Sequence, residues 1–318
     1  MSKTITTYQM RRLQDACAVK GPLCCGLDTD PSYVPPEVLK SFKTPSEAVL
    51  TYNLELIKAC APFSACFKVQ IAYYEAMGLE GMHVYVQTLE ALKKADIPII
   101  SDIKRGDIAA TATAYARAHF LGDFETDIVT LNPYMGFETL NPFVEFCKTA
   151  GKGAFVLLRT SNPGVEDLER LSLKDGGFVL DRVGDEIARI NKSFATIEDG
   201  QNEDCLNDYI CGPIGAVVGC TEEGDARQLR DKYPHMFFLI PGYGVQGGAA
   251  RLAASLLDKA GGTVNSSRGI LCAWKQDADL TAKRETGELT MSDIVDAAAK
   301  KAQQSRDDLL QAKAALFS

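Results

Sequence analysis

Ile97-Pro98-Ile99-Ile100-Ser101-Asp102-Ile103-Lys104-Arg105-Gly106-Asp107-Ile108 opens as an apolar run and closes as a cluster of charge. The run Ile97 to Ile100 predicts a buried strand. Side chains two apart on a strand share a face, so Asp102 and Lys104 point into one space at its end. Asp107 follows just past them, in the loop. Opposite charges side by side on a buried strand need a reason, because unpaired buried charge is costly.

Similar short apolar runs recur on both sides. Leu23 to Asp28 and Ala65 to Val69 come before it; Asp127 to Leu131 and Gly153 to Arg159 follow. Gly215 to Gly219, Phe237 to Pro241 and Gly262 to Asn265 complete a set of eight, counting Pro98 to Lys104 as the third. Between most of them lie stretches such as Glu80 to Lys94, with apolar residues at helical spacing. Strands alternating with helices imply a parallel sheet. Eight such units predict an α/β fold of the (β/α)8 TIM barrel type. An open doubly wound sheet is the rival, but it would place fewer functional residues at so many strand ends. The expectation is a single barrel domain over residues 1–318, with an insertion at about Leu171 to Pro213 and a closing helical tail from Ser292 to Ser318.

Composition narrows the function. With 318 residues, 46% hydrophobic and 24% charged, the chain can bury one large core. A net charge of −8 with no Lys/Arg-rich run argues against nucleic acid as a partner. No run approaches the length of a membrane span, and Met1-Ser2-Lys3-Thr4-Ile5 does not open a signal peptide. The ten cysteines are scattered without Cys-x-x-Cys pairs, as expected of buried reduced thiols in a cytoplasmic protein. Cys24 and Cys25 should face opposite sides of the first strand.

In a barrel the C-terminal ends of the strands build the active site. Asp28 ends the first strand, Lys68 lies near the end of the second, and Asp102 with Lys104 ends the third. Asn132 follows the fourth, Ser161 and Asn162 the fifth, Gln246 the seventh and Arg268 the eighth. Taken singly, each such residue reads as a solvated loop group. Lys68, Asp102, Lys104 and Asp107 together read differently, as an array whose charges cancel. Carboxylates raise the pKa of nearby lysines and lysines lower that of carboxylates, so the array can stay ionised. At about 4 Å and an effective dielectric near 20, each pair is worth on the order of 4 kcal/mol before desolvation. A lysine kept charged suits a proton donor to a strongly basic carbon; a Schiff base would need the free amine.

A second group has the makings of a phosphate site. Pro241-Gly242-Tyr243-Gly244-Val245-Gln246-Gly247-Gly248 leaves backbone N–H groups bare, and Val264 to Ile270 adds the guanidinium of Arg268. Barrels commonly hold phosphate in the loops after strands seven and eight. His83, His119 and His235 are far apart and form no ligand cluster; each is expected to be structural or on the surface. Tyr73, Tyr74 and Trp274 read as packing.

At these residues the chain resembles the orotidine 5′-phosphate decarboxylase family, most closely its longer bacterial-type branch. The resemblance runs from about Leu23 to Trp274, and its most specific piece is Asp102-Ile103-Lys104-Arg105-Gly106-Asp107-Ile108, similar to the family's Asp-x-Lys-x-x-Asp signature. Gly26-Leu27-Asp28, Phe67-Lys68, Asn132 to Gly136, Thr160 to Gly164, Pro241 to Gly244 and Ser267-Arg268-Gly269 support it in the expected order. The resemblance implies that Lys104 donates a proton to C6 of the pyrimidine and that Asp102 lies against the substrate carboxylate. It implies that Lys68 holds the array and a ribose hydroxyl, with Asp28 also on ribose. Asp107 and Thr111 would serve the partner subunit's site in a homodimer, Ser161 the pyrimidine edge, and Gln246, Arg268 and the Gly244 backbone the phosphate. It implies no metal and no organic cofactor.

The nearest rival on the same barrel is a sugar-phosphate lyase, such as a ketogulonate-phosphate decarboxylase or hexulose-phosphate synthase. Those also show Asp-x-Lys-x-x-Asp but use Mg2+, with an acid at the second strand end. Here that position is Lys68, whose charge should repel the metal. A phosphate-ligand binding protein without catalysis would have no need of a charged lysine between two acids.

Overall fold

The computed structural model describes residues 8–198, 210–219, 221–242 and 249–317, with the backbone alone at 195–198 and 249. Its centre is a closed ring of eight parallel strands: β1 (Leu23–Leu27), β2 (Cys66–Gln70), β3 (Ile99–Arg105), β4 (Ile128–Leu131), β5 (Gly153–Arg159), β6 (Ile214–Val218), β7 (Phe238–Ile240) and β8 (Gly262–Ser266). Each strand pairs with the next, and β8 closes onto β1 with Leu23 opposite Val264. The barrel predicted from the eight apolar runs is the fold observed, and each strand lies within one residue of its expected bounds.

Side-chain alternation divides the core in two. Cys24, Cys66, Ile100, Ile128, Phe155, Val217, Phe237 and Leu239 point inward and fill the barrel. Met10 and Leu13, from the helix Gln9–Lys20, join this inner cluster and close one end of it. That helix is tied down by Gln9, whose N–H donates to Gly151 O, and by Gln14, whose amide donates to Ala260 O. Leu23, Cys25, Leu27, Phe67, Val69, Ile99, Ile103, Val129 and Leu131 point outward, under the surrounding helices. Cys24 and Cys25 thus occupy opposite faces of β1 as expected, and no cysteine among the described residues forms a disulfide.

Continued inward from Cys66, Ile100 and Ile128, the next residues along β2, β3 and β4 are Lys68, Asp102 and Thr130. The apolar filling of the barrel therefore gives way to polar groups toward the C-terminal strand ends. Gly26 is the β1 member of this layer; a Cβ there would collide with Ser267 Oγ. The missing side chain leaves room where strands β1 and β8 converge.

The outer helices start where chemistry dictates. Thr44 caps the helix Pro45–Cys60 by accepting the Glu47 N–H, and Pro45 supplies a preset first turn. The stretch expected to be helical from Glu80 to Lys94 is the helix Gly78–Lys94. The C-terminal tail forms the helix Met291–Phe317, which packs against Pro45–Cys60 and buries Ile294, Val295, Ala298, Ala302 and Leu309. Within the stretch expected as an insertion, Ser172 bridges Phe178, and the helix Val179–Glu198 buries Leu180, Ile187, Ile190 and Phe194. Gln201-Asn202-Glu203-Asp204 lies outside the described residues. No helix among the described residues is long and apolar enough to cross a membrane.

Candidate active site

Four charged groups from three adjacent strand ends form one alternating chain. Lys68 Nζ donates to Asp28 Oδ1 at 2.9 Å and to Asp102 Oδ2 at 3.0 Å. Lys104 Nζ donates to Asp102 Oδ1 at 2.6 Å. The order Asp28–Lys68–Asp102–Lys104 alternates in sign, and its formal charges cancel. Exposure is graded along it: the side chains of Lys68 and Asp102 retain 6% and 9% of their accessible surface, Asp28 21% and Lys104 45%. The buried members hold the array, while the Lys104 ammonium faces the opening.

The electrostatics follow from that burial. Desolvation opposes the charge on Lys68, but Asp102 and Asp28 outweigh it and raise the pKa well above the usual lysine value. Desolvation also opposes the charge on Asp102. Lys68 and Lys104, with hydrogen bonds from Lys104 and Thr130, hold that carboxyl well below the usual carboxylate range. Both inner groups are therefore fixed in their charged forms at neutral pH.

The backbone around Asp28 is pinned on both sides. Tyr74 OH donates to Leu27 O at 3.0 Å, and Thr29 Oγ1 donates to Asn53 Oδ1 at 2.7 Å. Asn53 Nδ2 in turn donates to Tyr74 OH and to Thr88 Oγ1. Tyr74, expected as packing, also completes this buried network, and Trp274 is buried with its Nε1–H on Tyr33 O. Beyond Asp102, the pairing of β3 with β4 shifts register between Ser101 and Arg105, and Lys104 takes a left-handed backbone with φ +46°. Thr130, one strand over, receives the N–H groups of both Ile103 and Lys104 and donates to Asp102.

The four-member array differs from the one expected in one residue. Asp28 stands where Asp107 was placed. Among the described residues, the Asp107 carboxylate accepts only the Ile108 N–H and makes no bond to Lys68, Asp102 or Lys104 of its own chain. The left-handed turn at Lys104, with Gly106 packed against Asn132 O, carries Asp107 past the strand end. Thr111 is exposed on the helix Ala109–Phe120, beside Ile108, which is 50% exposed.

Ser161 is exposed just after β5, on a loop held by an unforeseen residue. The Glu169 carboxylate accepts the Thr160 N–H at 2.9 Å and the Thr160 hydroxyl at 2.7 Å. Arg159 is buried alongside and donates to Thr160 O and Gly219 O, joining the ends of β5 and β6. Arg268 is exposed at the start of the short helix Arg268–Leu271 after β8. Gly244 and Gln246, the other expected phosphate contacts, lie outside the described residues.

Sequence reasoning missed Thr130, Glu169 and the Asn53 network. Thr130 carried a usable signal: it is polar at an inward-facing strand position two residues after Ile128. Glu169 lies in a loop and carried none. The histidines stay outside the site. His83 is exposed, and His119 is buried, with its pKa pushed down to about 4 by burial and by Arg105. No group of three or more His, Cys, Asp or Glu among the described residues is placed to hold a metal ion.

Comparison with known proteins agrees with the barrel fold. The family model described as "Orotidine 5'-phosphate decarboxylase / HUMPS family" matches residues 21–283. The orotidine 5′-phosphate decarboxylase of Clostridium botulinum (strain Loch Maree / Type A3) is 49% identical over 266 residues, covering 83% of this chain and 89% of that one. That of Clostridium perfringens (strain SM101 / Type A) is 48% identical over 260 residues, covering 81% and 87%. The solved OMP decarboxylase of Leishmania donovani superposes with a TM-score of 0.64 at 28% identity, over 88% of this chain and 95% of that one. With nearly half its residues shared across most of its length and its barrel superposing on theirs, the chain belongs to the orotidine 5′-phosphate decarboxylase / HUMPS family.

Proposed function

We propose that this protein is a carboxy-lyase that converts orotidine 5′-phosphate to uridine 5′-phosphate and CO2, the last step of de novo UMP synthesis. The observation that carries this reading is the Asp102 carboxylate held between two lysines, Lys68 and Lys104, at the open end of the barrel. The bond between C6 and the carboxylate carbon breaks, CO2 leaves, and the electron pair remains on C6. No adjacent carbonyl can absorb it. The Lys104 ammonium stabilises that charge and gives C6 its proton, forming the C–H bond of the product; solvent then reprotonates the amine.

Asp102 lies against the substrate carboxylate in this reading. Both lysine partners of Asp102 are paired with it before substrate arrives, so little reorganisation is needed during reaction. Lys68 and Asp28 hold ribose hydroxyls, and Ser161 meets the pyrimidine edge. Arg268, Gln246 and the Gly244 backbone take the phosphate. Their contacts are remote from C6, so their binding energy is available for orientation as well as affinity. Asp107 and Thr111 serve the site of a second copy in a homodimer; their position past the strand end, clear of their own chain's array, supports this. The reaction uses no metal and no organic cofactor, and the enzyme works in the cytoplasm.

The family name also covers HUMPS members, so the second strand end matters. A metal-dependent lyase needs an acid there, whereas this chain places Lys68, paired to two carboxylates. The deciding experiment is decarboxylation of orotidine 5′-phosphate in the presence of EDTA. Undiminished turnover is expected; turnover that vanishes with chelator and returns with Mg2+ would assign the lyase chemistry instead.

A further inference from the structure

Thr130 is 1% exposed, and its hydroxyl has all three hydrogen-bonding positions filled. It donates to Asp102 Oδ1 at 2.8 Å. It accepts the Ile103 N–H and the Lys104 N–H, each at 2.9 Å. Successive amides on a regular strand point to opposite sides, so two of them meet one oxygen only where the strand bends. The bend is visible in the register shift between Ser101 and Arg105 and in the +46° φ of Lys104. A left-handed lysine is strained and persists only if its surroundings enforce it.

We infer that Thr130 is the positioning residue of the array: one hydroxyl holds both the bent backbone of Lys104 and the Asp102 oxygen that Lys104 pairs with. Asp102 Oδ1 is shared by Lys104 Nζ and Thr130 Oγ1, whereas Oδ2 belongs to Lys68. Thr130 thereby fixes the carboxylate's rotation and the root of the lysine side chain together. Removing the hydroxyl frees both at once. One buried and one partly buried N–H group lose their acceptor, the strand can relax, and the ammonium drifts from its place over the reacting carbon. The inference rests on the proposed role of Lys104 as proton donor.

Thr130→Val keeps the shape and removes the hydroxyl; Thr130→Ser keeps the hydroxyl. Each is assayed beside Lys104→Ala in the full chain, separating kcat from KM on orotidine 5′-phosphate and measuring UMP binding. Thr130→Val should lose about 100-fold in kcat, the scale of a 1 Å misplacement, with UMP affinity within about threefold of the parent. Thr130→Ser should recover most of that loss. A Thr130→Val enzyme with kcat within about threefold of the parent overturns the inference. So does parallel loss of UMP binding that Thr130→Ser fails to restore, the signature of a plug in the wall. If Thr130→Val does not fold, Thr130→Ala against Thr130→Ser is read in the same way. Lys104→Ala separates the two levels: near-parental turnover there removes the proton donor and this inference with it. An inactive Lys104→Ala beside a fully active Thr130→Val removes the inference alone.

Discussion

Lys104 Nζ lies 2.6 Å from Asp102 Oδ1, joining a side chain that keeps 45% of its surface to one that keeps 9%. The exposed partner is the one that can approach a substrate; the buried partner is the one that cannot move. Asp102 can hold this position because Lys68 neutralises it from the other side. The site is thus a charged lysine presented on a rigid base of one lysine and two carboxylates, and the four formal charges together cancel.

That arrangement predicts a large cost for removing the inner lysine. Lys68→Met leaves the buried Asp102 and the partly buried Asp28 without their common cation. Breaking such a pair by removing one partner should cost about 3–5 kcal/mol of unfolding free energy. Urea denaturation of the variant beside the parent measures it, and a change below about 1 kcal/mol would mean that the array is solvated, as surface pairs are.

Acid sensitivity should have two separate origins. His119 is buried neutral, its Nδ1 has no partner among the described residues, and its pKa is pushed down to about 4 from the ordinary 6.5. Between those values the unfolded chain binds the extra proton, so stability falls as pH drops from 6.5 to about 4. His119→Leu should remove a pH-dependent loss on the order of 3 kcal/mol across that window. Asp102 acts elsewhere: its depressed pKa contributes stability present above the ordinary carboxylate value, lost only as pH falls toward its lower folded value. Unfolding curves from pH 7 to pH 4 that are unchanged by His119→Leu would refute the first origin.

Arg230 is buried without a carboxylate partner among the described residues and is solvated by main chain instead. Its guanidinium donates to the carbonyls of Leu256, Tyr233, Met236 and Gly261 and stacks 3.8 Å from the Phe238 ring. Burial lowers its pKa to about 9, which still leaves it charged at neutral pH. Arg230→Met strands those carbonyls, each buried acceptor left unsatisfied costing roughly 1–3 kcal/mol, whereas Arg230→Lys should recover only part, lacking the fork. Denaturant midpoints for the two variants check the order.

The shared-site proposal predicts complementation. In a one-to-one mixture of Asp107→Ala and Lys104→Ala subunits, half the dimers are mixed and one site in each is intact. Subunit exchange should therefore restore about a quarter of parental turnover if the dimer is a closed symmetric pair. Mixtures as inactive as the separate variants would place Asp107 outside the neighbouring site.

Much of the fold was legible because the signals were local. Each strand is a short apolar run bounded by polar residues, and eight of them separated by helices leave few topologies open. Asp102, Lys104 and Lys68 were legible for the same reason, as charges that terminate apolar runs. The membership of the array was less so. Spacing along the chain put Asp107 beside Lys104, but one left-handed residue redirects the backbone after the strand. Asp28 reaches Lys68 only through the pairing of β1 with β2, where Gly26 stands opposite Lys68, and that register is a property of the closed barrel. Thr130 shows in the sequence only as a polar residue at an inward-facing strand position; what it does there is hidden for a related reason. Its partners, Ile103 and Lys104, lie on another strand, and its role depends on a bend that no spacing encodes.

The most direct test of the account is the turnover of orotidine 5′-phosphate by Lys104→Ala, measured together with UMP binding. The account predicts a folded protein that binds UMP and forms none from orotidine 5′-phosphate. Turnover near the parental rate would contradict it, because the proton would then reach C6 from another group.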